Sequence, residues 1–106
     1  PAFSAYTTLV AELDGYIYGW TLSPAETGSP AIEGYGFASR FTGKAKRVLW
    51  ADQTTVMSFP FSRIRVVDRR GPERFVSDGG EGDGDPAAGS IQIPISPQPV
   101  YVEEWD

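Results

Sequence analysis

Fourteen acidic side chains, with no histidine and no cysteine, set the chemistry open to this 106-residue chain. Without histidine there is no imidazole base for neutral pH and no Ser-His-Asp triad. Without cysteine there is no disulfide, thiolate metal ligand or thiol nucleophile. What remains is carboxylate chemistry, oxygen-ligated metal and aromatic binding surface. Acidic residues stand close together at Glu12 and Asp14 and at Glu103 and Glu104. A glycoside-cleaving pair must face each other across a cleft, whereas adjacent residues of a strand point to opposite faces. Glu103 and Glu104 therefore read as solvated edge residues.

A second acidic group, Asp78, Glu81, Asp83 and Asp85, is spaced among glycines. Calcium takes six to eight oxygens from flexible loops, and Glu81-x-Asp83-x-Asp85 resembles the start of such a loop. Pro86 interrupts it, and no bidentate glutamate follows at the required distance. The segment 78–89 is expected to be a solvated, mobile connection that binds no metal. No cofactor is implied anywhere in the chain.

The third group is aromatic. Tyr16, Tyr18 and Trp20 alternate, so on a regular strand they share one face. Sugar rings stack on exposed aromatics, which makes these three a candidate carbohydrate platform. Alternating aromatics equally line a core, where each buries a large area. Val48 and Trp50 share a face in the same way, and Trp50 is assigned to the core. Arg69-Arg70 reads as a solvated pair beside a turn.

These residues need elements to hold them. Phe3, Tyr6, Leu9, Val10 and Leu13 recur at helical spacing, and Asp14-Gly15 supplies a stop. A helix is predicted over about 2–13. Everything after it has strand period or turn chemistry. "YIYGWTL", "GYGFASRF", "AKRVLWA", "TTVMSFPF", "IRVVD" and "ERFVS" read as strands, and "SPAETGSPAIE" reads as a loop. Tyr35, Phe37 and Phe41 are placed on one face. "SIQIPISPQPVYVEEWD" reads as a strand, a stiff corner and a last strand. Its prolines belong at strand ends, bulges or edges, because proline cannot donate to a sheet ladder.

About eight short strands in 106 residues predict one all-β domain, an antiparallel β-sandwich of jelly-roll or immunoglobulin-like type with one N-terminal helix. Residues 1–15 form the helical lead-in and 16–106 the sandwich. No apolar run reaches the ~18 residues of a membrane helix, and no secretory signal is visible. The start at Pro1 rather than Met points to a processed protein or an excised piece. All nine basic residues lie within 1–77, while 78–106 carries seven acidic residues and no basic one. That imbalance argues against a nucleic-acid partner, which would need clustered lysine and arginine.

The order of the pieces resembles the C-terminal end of retaining glycoside hydrolases built on a (β/α)8 barrel, of the family 39 and family 42 kinds in clan A. "AYTTLVAELDG" matches their last barrel helix, and "YGFASRF" an aromatic-x-Phe strand. "VLWAD", "VVDRRG" and "IPISPQPVYVEE" match the later strand ends, hairpin and closing strand. The resemblance implies a hydrolase parent whose catalytic glutamates lie upstream on the barrel, and no residue here matches them. The chain itself is then expected to be non-catalytic. It would pack on and stabilise the barrel of the same polypeptide. Two alternatives stay open: a carbohydrate-binding module using Tyr16, Tyr18, Trp20 or Trp50, and an adaptor whose sheet edge recruits a partner strand.

Overall fold

The computed structural model describes residue 13 and residues 15–68, 73–84 and 88–105. Within that range nearly all the regular secondary structure is strand. The elements are β1 (Tyr16–Thr21), a single helical turn α1 (Pro24–Thr27), β2 (Ile32–Ser39), β3 (Ala45–Ala51), β4 (Thr55–Phe59), β5 (Arg63–Asp68), β6 (Glu73–Ser77), β7 (Ile91–Ile95) and β8 (Val100–Glu104). The all-β expectation is met. The predicted helix over 2–13 lies outside the described residues except for Leu13, which is helical.

Six strands form one antiparallel sheet in the order β1-β2-β3-β8-β5-β6, and β4 pairs with β7 in a second sheet of two strands. The chain passes between the sheets four times. Asp52–Thr54 leads to β4, Pro60–Ser62 returns to β5, 78–90 leads to β7, and Ser96–Pro99 returns to β8. The proline-rich corner thus delivers the last strand into the middle of the large sheet, between β3 and β5. Pro94 pairs with Val56 within β7. Both strands of the small sheet are edges, so the missing amide leaves no ladder bond broken.

Period-two alternation divides the large sheet into two faces. The inner face meets β4 and β7. Leu49, Ile64, Val66, Val76 and Val102 pack there against Met57, Phe59, Ile91, Ile93 and Ile95. Most of these side chains are fully removed from water, and each such burial is worth ~1.5–3 kcal/mol. The outer face carries a second cluster of Val48, Val67 and Tyr101, with Leu13, Phe37 and Trp50 packed against it.

Local chemistry explains the connections. "SPAE" is a capping box: the Ser23 side chain accepts from the Glu26 amide, and Glu26 accepts from the Ser23 amide. Pro24 starts the turn, and Gly28 ends it at φ +80°. The segment read as a loop from its two Ser-Pro pairs therefore holds one helical turn. The strand expected to include Phe41 stops at Ser39. The Ser39 hydroxyl accepts the amides of Phe41 and Thr42 and bends the chain away, leaving Phe41 87% exposed.

Candidate functional site

The predicted platform of Tyr16, Tyr18 and Trp20 does not share one face. Tyr18 pairs with Phe37, but Trp20 pairs with Gly36, so β1 spends one extra residue at Gly19. A bulge of this kind exchanges the two faces beyond it. Tyr16 and Tyr18 lie on the outer face. Tyr18 is 59% exposed, contacts Tyr35 and Phe37 edge-on or tilted, and shares a 2.6 Å hydrogen bond with the Thr21 hydroxyl. Trp20 turns inward and covers Gly36, where any Cβ would come within 2.5 Å of its ring.

Trp50, expected in the core, is only partly buried. It sits on the outer face beside Tyr35, with ring centroids 5.5 Å apart. The core place on β3 belongs to its neighbour Leu49.

Glu103 is not a solvated edge residue, because β8 is a central strand. It lies opposite Lys46 on β3 and Arg65 on β5, and only 7% of it is exposed. Arg65 Nη1 donates to Glu103 Oε1 at 2.9 Å, and Lys46 Nζ lies 3.9 Å from the same oxygen. The Lys46 ammonium also sits 4.6 Å from the Tyr16 ring centre. Glu104 points the other way and is exposed, so the two glutamates form no facing pair.

The acidic connection is more ordered than its composition suggests. Asp83 accepts from the amides of Gly79 and Gln92 through its two carboxylate oxygens, and Asp78 accepts from Gly89. These bonds engage both oxygens of Asp83 and one of Asp78 with nearby backbone, while Asp78 Oδ1 is buried without a hydrogen-bond partner among the described residues. Asp85 lies outside the described residues. Among the described residues no group of three acidic side chains is arranged to hold a metal ion.

The densest functional chemistry lies where Trp20 turns inward. Arg47, on the inner face of β3, extends between two rings, its guanidinium carbon 5.7 Å from the Trp20 ring and 5.4 Å from the Phe61 ring. Both distances fall within the cation–π range. Burial pushes the Arg47 guanidinium below its ordinary value, and Glu26 and Glu104 partly oppose that effect. Glu26 is fixed in turn, since it accepts from the Trp20 indole at 3.2 Å and from the Ser23 amide at 3.2 Å. Two openings meet at the Arg47–Phe61 pair. One of about 270 Å³ runs toward Leu22, Glu26 and Met57. The other, of about 190 Å³, is rimmed by Lys44, Ala45 and Glu104. A larger opening of about 370 Å³ lies at the other end of β8, beside Asp68, Arg74 and the Ser96–Pro99 corner, and among the described residues no aromatic ring lines it.

Sequence reasoning missed Arg47, Phe61 and Glu26 as a group. The capping-box spacing of Ser23 and Glu26 was one available signal. The approach of β1, α1 and the β4–β5 connection to one point is tertiary and has no local mark. No protein-family model, curated protein or solved structure matches this chain.

Proposed function

We propose that the chain is a non-catalytic β-sandwich accessory domain of a barrel-type glycoside hydrolase, packing on its catalytic barrel and stabilising it. The observation that supports this reading is the use of both faces of the large sheet. A two-stranded sheet covers the inner face, yet Val48, Val67 and Tyr101 on the outer face are also buried. Leu13, from the segment that leads into β1, packs against them. Half-buried Phe37 and Trp50 widen that apolar surface. Such a face suits a domain held against what precedes it in the chain better than a freely tumbling binding module.

The reading is tested on the full-length parent. The gene upstream of Pro1 should encode a barrel carrying the glycosidase glutamates. Deleting residues 16–106 should then lower the melting temperature of that barrel, while the 106-residue chain alone cleaves no aryl glycoside. A parent without a barrel, or a barrel whose melting is unchanged by the deletion, would rule the reading out.

A further inference from the structure

We infer that the cleft at Arg47 and Phe61 is a binding site for a neutral, hydroxyl-rich ligand, a saccharide unit, at a place distinct from the outer-face tyrosines. This goes beyond the accessory-domain reading and does not depend on it.

The inference starts from unused hydrogen-bonding capacity. Arg47 brings five N–H donors. Among the described residues its guanidinium makes no hydrogen bond and no ion pair within 4.0 Å, only the two ring contacts. Its nitrogens are not among the buried unpartnered atoms, so they face water in the opening and can exchange that water for a ligand's acceptors. Lys44 and Glu104 rim the same opening, and Glu104 is close enough to Arg47 to act on its charge without forming an ion pair within 4.0 Å. The cleft therefore presents donors on Arg47 and Lys44, acceptors on Glu104, and the Phe61 ring between them. On the far side of that ring, Leu22 and Met57 add apolar wall, and the anchored Glu26 adds a second carboxylate.

Charge selects among ligands. Two cations and two carboxylates leave the cleft neutral, and the whole chain is at −5. A phosphate or polyanion gains little there. A ligand that both donates and accepts, and has apolar C–H faces, can use every group. Vicinal hydroxyls on a pyranose ring have that character. The Trp20 and Phe61 rings hold the guanidinium plane in place, so little side-chain entropy is lost when it binds.

The test is a titration of the isotope-labelled 106-residue chain with cellobiose, xylobiose and lactose, to about 20 mM, enough to detect millimolar affinity. At least one should produce saturating shifts at the amides of Lys44, Ala45, Arg47, Phe61 and Glu104. Arg47→Met, which keeps the apolar stem between the rings, should weaken binding by at least about tenfold. Glu104→Gln should weaken it less. A Phe61→Leu variant checks the ring contribution without emptying the site. Three results would overturn the inference: no response to any of the three sugars, shifts confined to Tyr16 and Tyr18, or tighter binding of glucuronate or inorganic phosphate than of the neutral sugars.

Discussion

Arg65 and Glu103 stand directly opposite each other on β5 and β8, and Arg65 Nη1 donates to Glu103 Oε1 at 2.9 Å. Lys46 faces the same glutamate from β3. One buried carboxylate thus faces cations on both flanking strands, and Arg65 also pairs with Glu73 on β6. Removing it takes away the counter-charge that the two cations share in a poorly solvated place. Glu103→Ala should cost about 3–5 kcal/mol, as breaking a buried pair does. The triple variant Lys46→Met, Arg65→Met, Glu103→Leu should recover most of that loss, because the buried charges go together and Glu73, which loses Arg65, is half-exposed to water. Chemical denaturation of both proteins decides the matter. A Glu103→Ala chain within about 1 kcal/mol of the parent would mean that the pair behaves like an exposed one.

Gly36 predicts a second, local failure. A Cβ there would lie 2.5 Å from three atoms of the Trp20 ring, and a ring cannot yield as a flexible chain end does. Gly36→Ala should destabilise by about 1–3 kcal/mol, the usual range for overpacking. It should also shift the Trp20 indole resonance, since the ring must leave its bed. Unchanged stability together with an unchanged indole signal would contradict the packing described.

Much of this architecture is legible in the residues themselves. "AKRVLWA" and "ERFVS" coincide with β3 and β6, because each is a short run with strand-favouring residues bounded by turn signals. Trp20 departs from the alternating pattern for a definite reason: a bulge at Gly19 inverts the alternation, and no pattern of side-chain types announces it. Glu103 departs from it for another. Its burial depends on which strands flank β8, and the insertion of the last strand between β3 and β5 is a property of topology. The candidate cleft combines both difficulties. It needs the bulge to turn Trp20 inward and the crossing after β4 to bring Phe61 to Arg47.

The acidic connection offers a prediction against its composition. A loop so rich in glycine and like charge would ordinarily move freely. Here the Asp83 carboxylate ties Gly79 to Gln92, and Asp78 ties Gly89. The amides of Gly79, Gly89 and Gln92 should show order parameters near 0.85, the value of rigid backbone. Asp83→Ala should lower the first and last of these and leave the rest of the fold intact. Uniformly low values in the parent chain would show that the stitches do not persist.

Trp50 and Phe59 should separate in their effects on stability. Phe59 is fully buried between the sheets, and Trp50 is half-buried against Tyr35 on the outer face. Phe59→Ala should cost about 3–5 kcal/mol, the range for emptying a large aromatic site. Trp50→Ala should cost clearly less, about 1–2 kcal/mol, because water and neighbouring rings can close over the gap. The two unfolding midpoints give the comparison directly. Equal costs would place Trp50 in a true core.

The Glu26–Trp20 contact gives a prediction in pH. The Ser23 amide, followed by the Trp20 indole, holds the Glu26 carboxyl below its ordinary value of 4.5. The folded value is thus lower than the unfolded one. The contact is fully present above the unfolded value and is lost as pH falls through the folded value. The Trp20 indole N–H resonance should therefore titrate with a midpoint below 4.5 and be flat across the neutral range. Glu26→Gln should abolish the titration, since the amide carbonyl has no proton to gain. It should also loosen the ring that braces Arg47, so any ligand of the cleft should bind more weakly to this variant at neutral pH. A midpoint at or above 4.5, or a titration that survives Glu26→Gln, would assign the indole signal to another carboxylate and detach Glu26 from the cleft.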